Sequence, residues 1–415
     1  MIKCLDIEIS SICQAGCPVC PRRIQGRFAR GFQQTYWKYD QLIKTVTEET
    51  AKGLDKLVLC GNLGDPMGNP DIYRIVKWFK NLNPNLLVHI STNGGIGKSE
   101  VYSKLAKLNV TMVFGIDGYQ KGNELYRIGV KWKKLEENFK AFDTKYNHST
   151  KEIQYLMWDQ TTQQIEPVVE WAKANGGTRI YFKPPWHHFK HTKVYTMKNK
   201  YSHSLTYTES EFKRQISKMN EPKFFRLSRV WDLQKEKDYT TLIWTIKKYQ
   251  EKSKKPYIVK NPKQEPIVQK PYHYSYTTPQ WSEHELEQHR KLNKQTCFSK
   301  NFYDPEKINE SIYNLYITYN GYLMPCCFIP SMYQTYFNGD EKIPPVDAGS
   351  DRLNPYILQI NNKLLDLDLE AFSLKNKTIQ EVLDTGILHK FTYDSLGLEN
   401  GLNFCKTACA QTCEE

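Results

Sequence analysis

Strand and helix patterns alternate along the first ~185 residues, and that alternation constrains the fold more than any other feature of the chain. Leu5, Ile7 and Ile9 alternate with Asp6, Glu8 and Ser10, the period of a strand buried on one face. Leu57-Val58-Leu59-Cys60 is a short apolar run closed by Gly61. Further strands are expected at 86–90, 110–116, 153–158 and 179–182. Helical patterns lie between them. Asp40 is placed to cap a helix carrying Leu42, Ile43 and Val46 on one face, and Asn69-Pro70 to open one carrying Ile72, Ile75, Val76 and Phe79. Others are expected at 101–108, 132–142 and 165–174. Six strands separated by helices predict an α/β fold with a parallel sheet. Functional loops in such sheets sit at the carboxyl ends of the strands, and the polar and glycine motifs of this chain follow its strands.

The first strand leads into Cys13-Gln14-Ala15-Gly16-Cys17-Pro18-Val19-Cys20, a CX3CX2C spacing. Three thiolates this close can ligate three irons of a [4Fe–4S] cube and leave the fourth iron open to a small molecule, and Gly16 and Pro18 suit the tight wrap. A zinc site is the alternative, needing a fourth ligand or a water; a chance grouping of thiols is the third reading. The chain has eleven cysteines, an odd and clustered set. Asp6 and Glu8 interrupt the first ten residues, so no secretory signal is expected, and clustered cysteines then favour metal over disulfides. With no apolar run near the ~18 residues of a membrane helix, a cytoplasmic protein without a membrane partner is expected. Apolar residues at 40% and charged residues at 25% exclude a fully disordered chain.

On these motifs the chain resembles the radical S-adenosylmethionine (SAM) enzymes, over residues 1–185. Gly64-Asp65-Pro66 follows the second strand and is similar to the Gly-Glu-Pro type motif that holds the methionyl amine. Ser91-Thr92-Asn93-Gly94 follows the third and resembles the family's Thr-Asn-Gly. Gly115-Ile116-Asp117-Gly118 ends the fourth and is similar to its Ser-x-Asp-Gly, and Arg127 lies where many members place a basic residue near the SAM carboxylate. The resemblance implies a partial (β/α)6 TIM-type barrel. It further implies a [4Fe–4S] cluster on Cys13, Cys17 and Cys20, and SAM contacts from Gly64, Asp65, Pro66, Ser91, Asn93, Asp117 and Arg127. Its chemistry would be reductive cleavage of SAM to a 5′-deoxyadenosyl radical that takes a hydrogen atom from the substrate, with an external electron donor. Three positions depart from the family pattern: Asp65 stands for Glu, Gly115 for Ser, and Val19 for the aromatic residue often found before the third cysteine.

Residues 186–296 form a second region, expected to be an insert or bridge. Within it, 190–294 holds 23 Lys and Arg against 11 Asp and Glu, a net of +12 in a chain whose total is +13. Its basic and aromatic residues suit an acidic peptide, nucleic acid by phosphate neutralisation and stacking, or plain solvated surface. Helix is expected at 209–219 and 239–249, with long loops elsewhere, and His187, His188 and His191 fit a loop at the barrel rim. Residues 297–415 form a third, small cysteine-rich α+β region. Its 312–319 and 322–324 runs flank Asn320-Gly321, which suits a type I′ hairpin turn, and Thr378 with Glu381 makes a capping box. Cys297, the Gly321-X4-Cys326-Cys327 run, and Cys405-X3-Cys409-X3-Cys413 resemble the SPASM and twitch domains of the same superfamily, which hold auxiliary Fe–S clusters. That resemblance implies at least one auxiliary cluster on Cys297, Cys326, Cys405 and Cys409, with Cys413 as substitute; structural zinc is the alternative. It also implies a peptide or protein substrate. A small molecule such as a sugar or cyclitol is the alternative, and a nucleic-acid-binding Fe–S protein a remote one. Cys4 and Cys60 are expected to be buried core residues.

Overall fold

The computed structural model describes residues 2–17, 20, 22–24, 27–28, 32–145, 148–183, 194–198, 204–208, 230–252, 312–325, 369–388 and 390–391. Cys297, Cys326, Cys327, Cys405, Cys409, Cys413, the three histidines 187, 188 and 191, and the helix expected at 209–219 lie outside them.

Six parallel strands build the core: β1 (Ile2–Ile7), β4 (Lys56–Leu59), β5 (Leu87–Thr92), β6 (Thr111–Gly115), β7 (Thr150–Leu156) and β8 (Arg179–Lys183). They lie side by side in chain order with no reversal. Right-handed crossovers without a reversal put every connecting helix on one face, which is the winding of a partial (β/α)6 barrel and not of a doubly wound sheet. The helices are α1 (Tyr39–Val46), α2 (Glu48–Gly53), α3 (Ile72–Leu82), α4 (Ser99–Ala106), α5 (Asn123–Tyr126), α6 (Trp132–Ala141) and α7 (Ile165–Ala174). Leu5, Leu57, Ile90, Phe114, Ile153 and Ile180 point at them and are fully buried. Alternate residues, among them Asp6, His89 and Tyr181, are half-buried on the other face, as period-two alternation requires. An aromatic seam joins sheet to helices: Phe114 packs on Phe139 at 4.8 Å and Phe139 on Trp171 at 4.5 Å.

Two helix starts differ from expectation. α1 begins at Tyr39, not after Asp40, because its free amide is satisfied from outside: Tyr39 N–H donates to Asp71 Oδ2 at 3.1 Å. α3 begins at Ile72, two residues past Pro70, since the Asn69 side chain takes the Asp71 amide at 2.8 Å and holds that stretch in a turn.

The six-stranded sheet is extended at both edges. β12 (Ile312–Ile317) pairs parallel to β1, with Ile2 opposite Ile312 and Ile7 opposite Ile317, and β13 (Leu323–Met324) pairs antiparallel to β12. The expected hairpin is present, but its turn is not type I′. Of Asn320 and Gly321 only Gly321 has a positive φ, of 90°, and Gly321 N–H returns to Thr318 O at 3.2 Å. That is a type I turn closed by a left-handed glycine. Thr318 decides it by bonding Asn320 Oδ1 at 2.8 Å and accepting Tyr322 N–H at 2.8 Å. The Thr378–Glu381 capping box heads the short helix Ile379–Asp384. At the other edge β11 (Trp231–Asp232) pairs antiparallel to β8, and the helix Glu236–Lys252 follows, longer at both ends than the expected 239–249. β9 (Val194–Lys198) and β10 (Ser204–Thr208) form an antiparallel pair where loop was expected. β2 (Arg23–Ile24) and β3 (Arg27–Phe28) make a small ribbon after the cysteine loop. Among the described residues no helix is long and apolar enough to cross a membrane.

Candidate active site

The carboxyl ends of β1, β4, β5 and β6 bring four sequence motifs together. The loop after β4 crosses the segment after β1 so closely that a Cβ on Gly64 would run into the Ser10 carbonyl, and one on Gly68 would stand 2.7 Å from Ile12 O. Only glycine permits the crossing. Asp65 then caps the 3-10 turn Pro66–Gly68, accepting Met67 N–H at 3.0 Å, with Pro66 in the first position where its missing N–H costs nothing.

Asp65 is 2% exposed and its carboxylate is taken up internally. It accepts the Thr92 hydroxyl at 2.9 Å and the Asn93 amide at 2.8 Å. Burial pushes its carboxyl up from the usual range, opposed by the Asn93 and Met67 amides and the Thr92 hydroxyl. Its part is to tie the end of β4 to the end of β5. Thr92, quoted in the motif but not expected to act, therefore belongs to this junction; Ser91 faces the opposite side of the strand, the side of His89, and is half-buried. Asn93 reaches from β5 to the cysteine loop: its Nδ2 donates to Cys13 Sγ at 3.2 Å, and its Oδ1 accepts Gln14 Nε2 at 2.8 Å.

Cys13 and Cys20 are half-buried and Cys17 is buried. The loop is closed by Cys20 N–H to Cys17 O at 3.2 Å and docked by Gly16 N–H to Ile128 O at 2.6 Å. Burial raises the Cys13 thiol to about 12, with Asp65 adding and Arg22 opposing, and raises Cys17 to about 11 against Arg127. Arg22, which no sequence motif singled out, is 2% exposed and donates Nε to Cys20 Sγ at 3.3 Å. Its place two residues after the last cysteine was the one available signal.

Asp117 is fully buried beyond the end of β6. It pairs with Arg127 Nε at 2.5 Å and accepts Leu156 N–H at 2.7 Å, which joins β6 to β7. Burial works against the Arg127 charge, but Asp117 together with Cys17 and Tyr126 outweighs it, so the Arg127 pKa stands above the usual guanidinium value. The Arg127 head covers Gly115, where a Cβ would stand 2.6 Å from Nη2. A side chain at 115 would have to displace the Arg127 head from its place beside Asp117. Cys60 is buried as expected; Cys4 is half-buried, and burial lifts its thiol to about 11.

No protein-family model matches the chain, and no curated protein matches it. Among solved structures it is similar to Streptococcus suis SuiB bound to S-adenosylmethionine, at 17% identity and a TM-score of 0.43, over 78% of this chain and 60% of that one. SuiB bound to its precursor peptide SuiA gives 17% identity and a TM-score of 0.45, over 82% and 62%. Histidine-tagged anSMEcpe with bound AdoMet gives 13% and 0.44, over 94% of this chain and 79% of that one. The chain thus spans about 60% of the length of SuiB.

Proposed function

We propose that the chain is a radical SAM enzyme that modifies a peptide or protein side chain. The observation that carries the reading is the junction of its motifs at one end of a parallel barrel. Asn93 from β5 meets the Cys13 sulfur at 3.2 Å, and Asp65 from the β4 loop holds Asn93 in place at 2.8 Å. The donor set fits an iron–sulfur cube. The three thiols lie on one loop, and N–H groups from Asn93 and Arg22 face two of their sulfurs. Among the described residues no three His, Cys, Asp or Glu gather closely enough to hold a metal ion. A cube asks for a different arrangement, since each sulfur takes its own iron and the three stand around the cluster.

A reduced [4Fe–4S] cluster held there would supply the electron for reductive cleavage of SAM, the source of a 5′-deoxyadenosyl radical that would take a hydrogen atom from the substrate. The chain's own residues do the holding. Cys13, Cys17 and Cys20 ligate. The backbone of Gly64-Asp65-Pro66, with Ser91 and Asn93, receives the methionyl and ribose groups. Arg127, kept charged by Asp117, faces the SAM carboxylate. Cys297, Cys326, Cys405 and Cys409, with Cys413 as substitute, would hold an auxiliary Fe–S cluster. The peptide substrate is supported by the resemblance of the Gly321-X4-Cys326 hairpin and terminal cysteines to SPASM and twitch domains. An external one-electron donor is required.

The test is anaerobic reconstitution with iron and sulfide, addition of SAM and dithionite, and an assay for 5′-deoxyadenosine. Formation that is lost in the Cys13→Ala, Cys17→Ala, Cys20→Ala triple variant supports the reading. A fully iron-loaded protein that neither binds nor cleaves SAM overturns it.

A further inference from the structure

Two N–H donors point at sulfur on the cysteine loop, and ligation of a cluster uses neither. Arg22 spans the loop. Its Nε donates to Cys20 Sγ at 3.3 Å, its Nη1 to Cys13 O at 3.2 Å and its Nη2 to Ala15 O at 2.9 Å. Asn93 Nδ2 donates to Cys13 Sγ at 3.2 Å. The orientation of that amide is set by its neighbours. Gly95 N–H can only donate, and it reaches Asn93 Oδ1 at 2.8 Å, so the nitrogen is the atom left to face the sulfur. The turn packs closely here: a Cβ on Gly95 would stand 2.5 Å from Gln14 Nε2 and 2.8 Å from Val130 Cγ1.

We propose that Arg22 and Asn93 set the reduction potential of the cluster held by Cys13, Cys17 and Cys20, making it easier to reduce through N–H···S hydrogen bonds. Reduction adds one electron, and part of its charge falls on the cysteine sulfurs. A donor aimed at those sulfurs favours the reduced state over the oxidised one. Arg22 brings a full positive charge at 2% exposure and has the larger effect. Asn93 brings a dipole and has the smaller one. The inference rests on the proposed function only in requiring a four-iron cluster on these three cysteines.

The test is an EPR-monitored redox titration of the full-length, iron-loaded protein without SAM or substrate. The signal that disappears in the Cys13→Ala, Cys17→Ala, Cys20→Ala variant identifies the cluster. Arg22→Met removes charge and donors, Arg22→Lys keeps the charge and loses the fork, and Asn93→Leu removes the second donor. Arg22→Met should lower the equilibrium constant for reduction about tenfold, a midpoint about 59 mV more negative for a one-electron couple. Arg22→Lys should fall between wild type and Arg22→Met, and Asn93→Leu should shift the same way by less. Loaded variants with wild-type midpoints overturn the proposal and make both residues mechanical braces of the loop. If Arg22→Met fails to load, Arg22→Lys and Asn93→Leu decide; failure of all three to load assigns them to assembly alone and also overturns it. A wild-type protein that takes up a cluster on these cysteines but neither binds nor cleaves SAM sinks the proposed function and leaves the potential shifts to be read.

Discussion

Ionisable groups are withdrawn from water both along the strands and beyond their carboxyl ends, and the two places treat them differently. Along the strands they occupy ordinary strand positions. Asp6 on β1 and His89 on β5 flank Val58 of β4 in register, and Glu152 on β7 meets Arg179 on β8 at 3.0 Å. Burial raises Asp6 to about 6 against the pull of Lys56, and burial with Lys56 and Arg179 lowers His89 to about 4. At the carboxyl ends the buried groups sit on irregular backbone and have assigned donors. Asp65 takes Met67, Thr92 and Asn93; Asp117 takes Arg127 and Leu156. The strand positions leave their charge to be adjusted by protonation, whereas Asp65 and Asp117 at the rim are fixed in orientation by their donors, as a site that must orient a cofactor requires.

The largest expected effect breaks the rim. Asp117→Asn keeps an oxygen for Leu156 but strands the Arg127 charge, which should cost about 3–5 kcal/mol of unfolding free energy in urea titrations. Gly64→Ala should cost about 1–3 kcal/mol, because the β4 loop and the segment after β1 can no longer cross. It should also lower the iron bound per chain after reconstitution. A loop that absorbs the methyl group with no change in either reading would show that the crossing is not rigid.

The strand positions are tested by pH. Asp6 has a folded pKa above its unfolded one, so its contribution to stability falls as pH rises from about 4 to about 6. His89 has a folded pKa below its unfolded one, so its contribution rises between about 4 and about 6.5. The two slopes offset each other in the wild type. Asp6→Asn should leave a stability that climbs with pH across this window, and His89→Gln one that declines, each by about 1–2 kcal/mol given partial solvent access. Parallel profiles in the two variants would break the account. The smallest effect is expected for Arg179→Gln, below about 1 kcal/mol, because the arginine side chain of that pair is half exposed.

Much of the barrel was legible in the sequence because its signals are local. Period-two and period-3.6 patterning marked all six parallel strands and the main helices between them, and the glycine and cysteine motifs fell after the right strands. The Asn-Gly hairpin was legible too, though not its turn type, which the Thr318 side chain decided. By itself the sequence determined the strand–helix order and which loops carry thiols and glycines, since both follow from residue type at fixed spacing. The tertiary structure alone decided which groups meet. It placed β12 beside β1 across some three hundred residues, gave α1 a cap from Asp71, turned Asp65 inward onto Thr92 and Asn93, and set Arg22 and Asn93 against sulfur. Those pairings depend on the distance and direction of side chains brought together by packing, and no spacing along the chain encodes them.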